Sequence, residues 1–139
     1  MRNCRAQSSI GAELAYAVIR FAQADRTSFA AADLTCAWFI KANLREAWLN
    51  EATLISADFK GTDLTGAQLN GADLTDANFS GFEPFGVSDL TGADLTGATL
   101  TGVDLTDAWW PARQPLPPGW EVDPGSHLLK RSSAGTAWP

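Results

Sequence analysis

The 139-residue chain carries 10 basic and 16 acidic side chains, a net charge of −6. That balance excludes general nucleic-acid binding by the whole surface, and the length fits one domain. The opening Met-Arg-Asn-Cys has no apolar core of a signal peptide, and no apolar run reaches the ~18 residues of a membrane helix.

Residues 1–11 show no regular pattern and are read as an N-terminal cap. From residue 12 the chain repeats every five residues. Large apolar centres fall at Leu14, Ile19, Ala24, Phe29, Leu34, Phe39, Leu44, Leu49, Leu54, Phe59, Leu64, Leu69, Leu74 and Phe79. The register then slips by one residue around Gly81-Phe82-Glu83-Pro84-Phe85-Gly86, with Phe85 read as the next centre and Glu83 in an inward position. Centres resume at Leu90, Leu95, Leu100, Leu105 and Trp110. Fifteen of these 20 centres have Ala two residues earlier. A period of five is neither helical nor that of a flat strand, and so short a repeat specifies a solenoid. One ambiguity stays open near the start. Ile10, Leu14, Val18 and Phe21 also fit a helical stripe, whereas Ala12, Ala17 and Ala22 keep phase with the later Ala column.

The repeats Ala32-Asp33-Leu34, Ala42-Asn43-Leu44, Ala72-Asp73-Leu74 and Ala93-Asp94-Leu95 resemble the pentapeptide repeat family, whose consensus is Ala-(Asp/Asn)-Leu-x-x. The resemblance implies an all-β fold, a right-handed quadrilateral β-helix of about five coils over residues 12–110. Four repeats make one coil, and the centre and its Ala point inward. Residues 20 apart then stack, so Phe39, Phe59 and Phe79 are expected to form an aromatic ladder. Gly61, Gly66, Gly71, Gly81, Gly92, Gly97 and Gly102 fall where a corner needs positive φ.

Residues 111–139 leave the repeat and are read as a C-terminal cap with a frayed tail. Pro115-Leu116-Pro117-Pro118 is stiff and extended. Trp120-Glu121-Val122 and His127-Leu128-Leu129 flank Asp123-Pro124-Gly125-Ser126 as a small hairpin.

The search for chemistry yields surfaces. His127 is the only histidine and has no triad partners nearby in sequence. Cys4 and Cys36 lack metal-ligand spacing and are read as two unpaired thiols in a reducing cytoplasm. No cofactor, metal or catalytic residue is assigned, no membrane is expected as partner, and the expected role is non-enzymatic. Two surface features depart from the plain repeat. Val18, Phe21, Trp38, Ile40 and Trp48, with Arg20 and Lys41 at the margin, form a candidate partner-binding set. Residues 51–110 carry one basic and ten acidic groups, a net charge of −9. Their aspartates Asp58, Asp63, Asp73, Asp76, Asp89, Asp94, Asp104 and Asp107 form an acidic belt. Some members of the resembled family protect DNA gyrase by imitating duplex DNA with an acidic rod. The belt makes gyrase the second partner expectation, after an unknown protein. The chain is read as a cytoplasmic monomer or weak dimer.

Overall fold

The computed structural model describes residues 14–81 and 86–133. The chain winds as a four-sided parallel β-solenoid. Each side contributes a single rung of pairing to the next coil, as in Val18↔Trp38, Gln23↔Asn43, Ser28↔Trp48 and Asp33↔Thr53. Four columns of centres line the interior. The first wall holds Leu34, Leu54, Leu74 and Leu100. The second holds Ile19, Phe39, Phe59, Phe79 and Leu105. The third holds Ala24, Leu44, Leu64, Leu90 and Trp110, and the fourth Phe29, Leu49, Leu69 and Leu95.

A β-turn closes each corner, for example with the Ala37 N–H donating to the Leu34 carbonyl at 3.0 Å. The residue two after nearly every centre adopts positive φ, the type II arrangement, with Gly81 an exception. The early corners impose it on side-chain-bearing residues, with φ of 64° at Tyr16, 58° at Phe21 and 55° at Arg26. From residue 61 glycine holds most of these positions, where the left-handed conformation no longer carries a steric cost, and Asp76 and Asp107 hold two others.

Residues 14–24 belong to the coil. Ile19 donates to the Trp38 carbonyl at 2.7 Å, and Ala24 to that of Asn43 at 2.9 Å. The helical alternative is excluded over that stretch, while residues 1–13 lie outside the described part.

The interior is buried and stacked. The rings of Phe39 and Phe59 lie 4.9 Å apart at 2°, and those of Phe59 and Phe79 4.7 Å apart at 4°. These separations equal the spacing between adjacent β-strands, so the aromatic ladder follows the coil pitch. Thr62 and Ser88 occupy inward positions that Ala fills elsewhere. Their hydroxyls donate to the carbonyls of Phe39 and Phe59 at 2.7 Å, which satisfies both groups.

The irregularity near Pro84 is larger than a one-residue slip. Asp63 pairs with Asp89, Gln68 with Asp94, Asp73 with Thr99 and Asn78 with Asp104, each 26 residues apart. Six extra residues therefore separate these rungs, and Leu90, rather than Phe85, stacks on Leu64. Ser88 takes the inward slot assigned to Glu83. Residues 82–85 themselves lie outside the described part. The excursion closes at a neck: a Cβ on Gly81 would sit 2.9 Å from the Val87 Cα and 3.2 Å from the Asp107 carbonyl. Gly81 is thus required by close backbone approach, not by the positive φ expected of it.

Cys36 is buried and disulfide-bonded. This corrects the reading of a free thiol there; Cys4, the other cysteine in the sequence, lies outside the described residues.

A hairpin of β1 (Trp120–Val122) and β2 (Leu129–Arg131) follows the tube. It is tied to the coil by Asp107 N–H donating to the Leu129 carbonyl at 2.8 Å and by Leu129 N–H donating to Ala108 at 3.0 Å. The Asp123 carboxylate organises the turn. It accepts from the backbone N–H groups of Ser126 and Gly125 at 2.9 Å and faces the Lys130 ammonium at 3.2 Å. The Ser126 bond, then Lys130 and Gly125, hold its pKa down to about 2. Because the folded value lies below the unfolded one, this stabilisation is complete above about pH 4 and disappears as pH falls toward 2. Exchange at the Asp123 and Leu129 amides, corrected for intrinsic rate, should accelerate in that window. Asp123→Asn should remove the pH step.

Candidate functional site

Three of each five residues face outward, and the second wall is unlike the others at its start. Val18 and Trp38 sit on adjacent rungs and are 67% and 49% exposed. Phe21, at the adjoining corner, is 60% exposed, and the Arg20 guanidinium lies 5.5 Å from its ring centroid. Lys41 follows Phe21 in the same corner column, since Phe21 donates to the Ile40 carbonyl at 3.0 Å. The next rung is Asp58, paired to Lys60 at 3.3 Å, and there the apolar ladder ends.

Two members of the candidate set fall away from this ladder. Ile40 is buried despite its outward position in the repeat. Trp48 is exposed but pairs with Ser28 and Gln68 on the fourth wall, opposite the second. One flat partner surface therefore meets Val18, Phe21 and Trp38 together and leaves Trp48 out.

The acidic belt has a local structural cause. The carboxylate before a centre accepts the backbone N–H two residues later and often that residue's hydroxyl. Asp63 accepts Thr65 N–H at 3.0 Å and Oγ1 at 2.6 Å; Asp73 and Asp104 hold Thr75 and Thr106 in the same way. Asn78 does this for Ser80. The Asp/Asn-x-Thr/Ser spacing is therefore a turn device repeated along the tube. Burial opposes ionisation of Asp63, but the two Thr65 bonds and Arg45 at 3.2 Å outweigh it and lower its pKa. The Thr96 side chain and backbone lower that of Asp94.

These carboxylates do not share a face. Asp58 and Asp104 lie on the second wall, Asp63 and Asp89 on the third, Asp73 on the first and Asp94 on the fourth. Asp76 and Asp107 stand at corners with positive φ. Among the described residues no three His, Cys, Asp or Glu side chains converge as a metal site, and no helix is long and apolar enough to cross a membrane.

Such a molecule is a four-sided repeat solenoid, a class that presents side chains on flat walls. The chain belongs to the pentapeptide repeat family: models of pentapeptide repeats match residues 42–81 with eight copies and residues 64–109 with nine. Among solved structures it is similar to HetL, a pentapeptide repeat protein involved in heterocyst differentiation regulation in the cyanobacterium Nostoc. The two are 32% identical over 73% of this chain and 50% of HetL, with a TM-score of 0.34. It is also similar to a pentapeptide repeat protein of the cyanobacterium Cyanothece, at 29% identity over 63% of this chain and 58% of that one, TM-score 0.34. A pentapeptide repeat protein of the Arabidopsis thaliana thylakoid lumen is 25% identical over 78% of this chain and 70% of its own, TM-score 0.30. The chain thus spans about half the length of HetL. No curated protein matches it in sequence.

Proposed function

We propose that the chain is a non-enzymatic interaction scaffold and that a protein partner docks on the start of its second wall. The observation supporting this reading is the exposed ladder of Val18 and Trp38 beside Phe21. Exposed aromatic side chains grouped on a rigid wall are the usual anchors of protein recognition. Arg20 and Lys41 border them, so the fitting partner surface is apolar at its centre and carries carboxylates at its rim.

The test is affinity capture from the source cell, followed by titration of the captured protein. Trp38→Ala should weaken binding by about tenfold or more while leaving the melting temperature unchanged. Trp48→Ala, on the opposite wall, should bind as the parent does. Undiminished binding by Trp38→Ala contradicts the reading.

The second reading is modulation of gyrase or another topoisomerase by the acidic belt. Asp63 and Asp89 on neighbouring rungs favour it. The spread of the remaining carboxylates over the other three walls and two corners, with Asp58, Asp73, Asp94 and Asp104 engaged in their own turns, supports the scaffold instead. A supercoiling assay with excess chain decides between them: inhibited supercoiling supports modulation, and unchanged activity rejects it. The cytoplasmic location expected from two free thiols loses that support at Cys36, since disulfides persist mainly in oxidising compartments. Fractionation under thiol-blocking conditions tests the compartment, and sedimentation tests the monomeric state.

A further inference from the structure

In every coil the N–H groups of the centre and of the corner donate to the coil above, and the carbonyl of the inward small residue accepts from it. Leu69 donates to Asp94 at 2.7 Å, Gly71 to Thr96 at 2.9 Å, and Ala67 accepts from Asp94 at 2.9 Å. At the C-terminal end the rule is kept only in part, and the N–H groups of Gly92 and Leu105 also lack a partner among the described residues. On the third wall Leu90 donates to Trp109 at 3.0 Å, and at the end of the second wall Asp107 donates to Leu129 of β2 at 2.8 Å. On the fourth and first walls the repeat has ended. There the N–H groups of Leu95, Gly97, Leu100 and Gly102 and the carbonyls of Ala93 and Ala98 have no coil above them and no partner among the described residues.

A cavity of about 730 Å³ lies over this open half. Its floor is the last layer of the core: Leu95 and Val103, which are buried, with Ala98 and Leu100, which are half-buried. Trp110, Trp120 and the strap Pro115–Pro118 wall its far side. Trp110 is fixed by its indole N–H, which donates to the Gln114 carbonyl at 3.2 Å. Among the described residues its one charged lining residue is Arg131, whose guanidinium stacks 4.3 Å from the Trp120 ring centroid.

We propose that this half-open rim binds an extended peptide segment of a partner protein, which adds as a parallel strand and continues the tube for two walls. The spacing of the free groups selects this occupant. Donors at 95, 97, 100 and 102 turn a corner between two walls, as those at 69, 71, 74 and 76 do one coil below. A peptide backbone meets all four, whereas a compact ligand in the cavity does not span them. The floor selects the side chains. A small residue followed two positions later by Leu, Ile or Phe, repeated after five, places both large side chains in the cavity. Arg131 in the lining favours an acidic residue at an outward position.

The probe is the synthetic peptide Ala-Asp-Leu-Thr-Gly-Ala-Thr-Leu-Thr, which copies residues 93–101, added to the full chain. Saturable binding is expected, with hydrogen exchange at Leu95, Gly97, Leu100 and Gly102 slowed about tenfold or more at saturation. Replacing both peptide leucines by lysine should weaken binding by more than about tenfold. Ala98→Trp, which fills the cavity floor, should abolish binding with an unchanged melting temperature. If that variant does not fold, Leu116→Asp on the strap serves instead, with the same loss expected. Equal binding by the lysine peptide, or no slowing at those four amides, overturns the proposal. Slow exchange at the same amides without peptide, together with dimers in sedimentation, also overturns it and makes a second copy the occupant.

Discussion

Leu64→Lys is expected to abolish cooperative folding, while Thr65→Lys, one residue along, is expected to leave it almost intact. Leu64 has no exposed surface and lies between Leu44 and Leu90 in the third column. The nearest inward hydroxyl, Thr62, already donates to the Phe39 carbonyl at 2.7 Å. An ammonium at position 64 finds neither water nor a counter-charge, and an unpaired buried charge costs several kcal/mol or more. A domain's whole stability is about 5–15 kcal/mol. Thr65 is half-buried on the outer face. Its replacement gives up the 2.6 Å hydroxyl bond to Asp63, keeps the 3.0 Å backbone bond, and brings a cation beside that carboxylate. The net cost is about 1 kcal/mol or less. Thermal melts followed by circular dichroism separate the two; equal effects refute the inward and outward assignment.

Phe59→Ala should be the most damaging of the neutral substitutions. Phe59 has a parallel ring on each side, at 4.9 Å and 4.7 Å, and no exposed surface. The closely paired coils above and below cannot collapse into the space without breaking their rungs. The expected loss is about 3–5 kcal/mol, near the upper end because two ring contacts go with it. That corresponds to a fall of about 12–20 °C in melting temperature. Phe79, with Phe59 on one side and Leu105 on the other, should lose less on the same change. Equal losses at the two positions contradict a contribution from ring stacking.

The regular part of this fold was legible because its cause is local and repeats. Each five-residue unit carries its own inward pair and its own corner, so the positions of Phe39, Phe59 and Phe79 fix one another. The Val18–Trp38 ladder followed from the same arithmetic. The excursion after Gly81 was not legible in the same way. Phe85 has the right residue type one position late, and only pairing across coils shows Leu90 above Leu64. Ile40 was misjudged for a related reason, since the repeat gives the direction of a side chain and not what covers it. The aspartates were read as surface charge, although the Thr or Ser two residues after most of them already signalled a turn. The open rim at Leu95 and Leu100 was also within reach, because a repeat that stops at Trp110 leaves two walls of the last coil without a successor.

Which side chains stack and which face out after Gly81, and therefore the later half of every wall, depends on the six extra residues. Deleting residues 82–87 joins Phe79-Ser80-Gly81 to Ser88-Asp89-Leu90 and restores an unbroken five-residue repeat. The deletion variant should fold cooperatively, with a melting temperature at or above that of the parent chain, and should keep the Leu64–Leu90 contact in its nuclear Overhauser spectrum. Loss of cooperative folding, or of that contact, would contradict the register on which the walls are built.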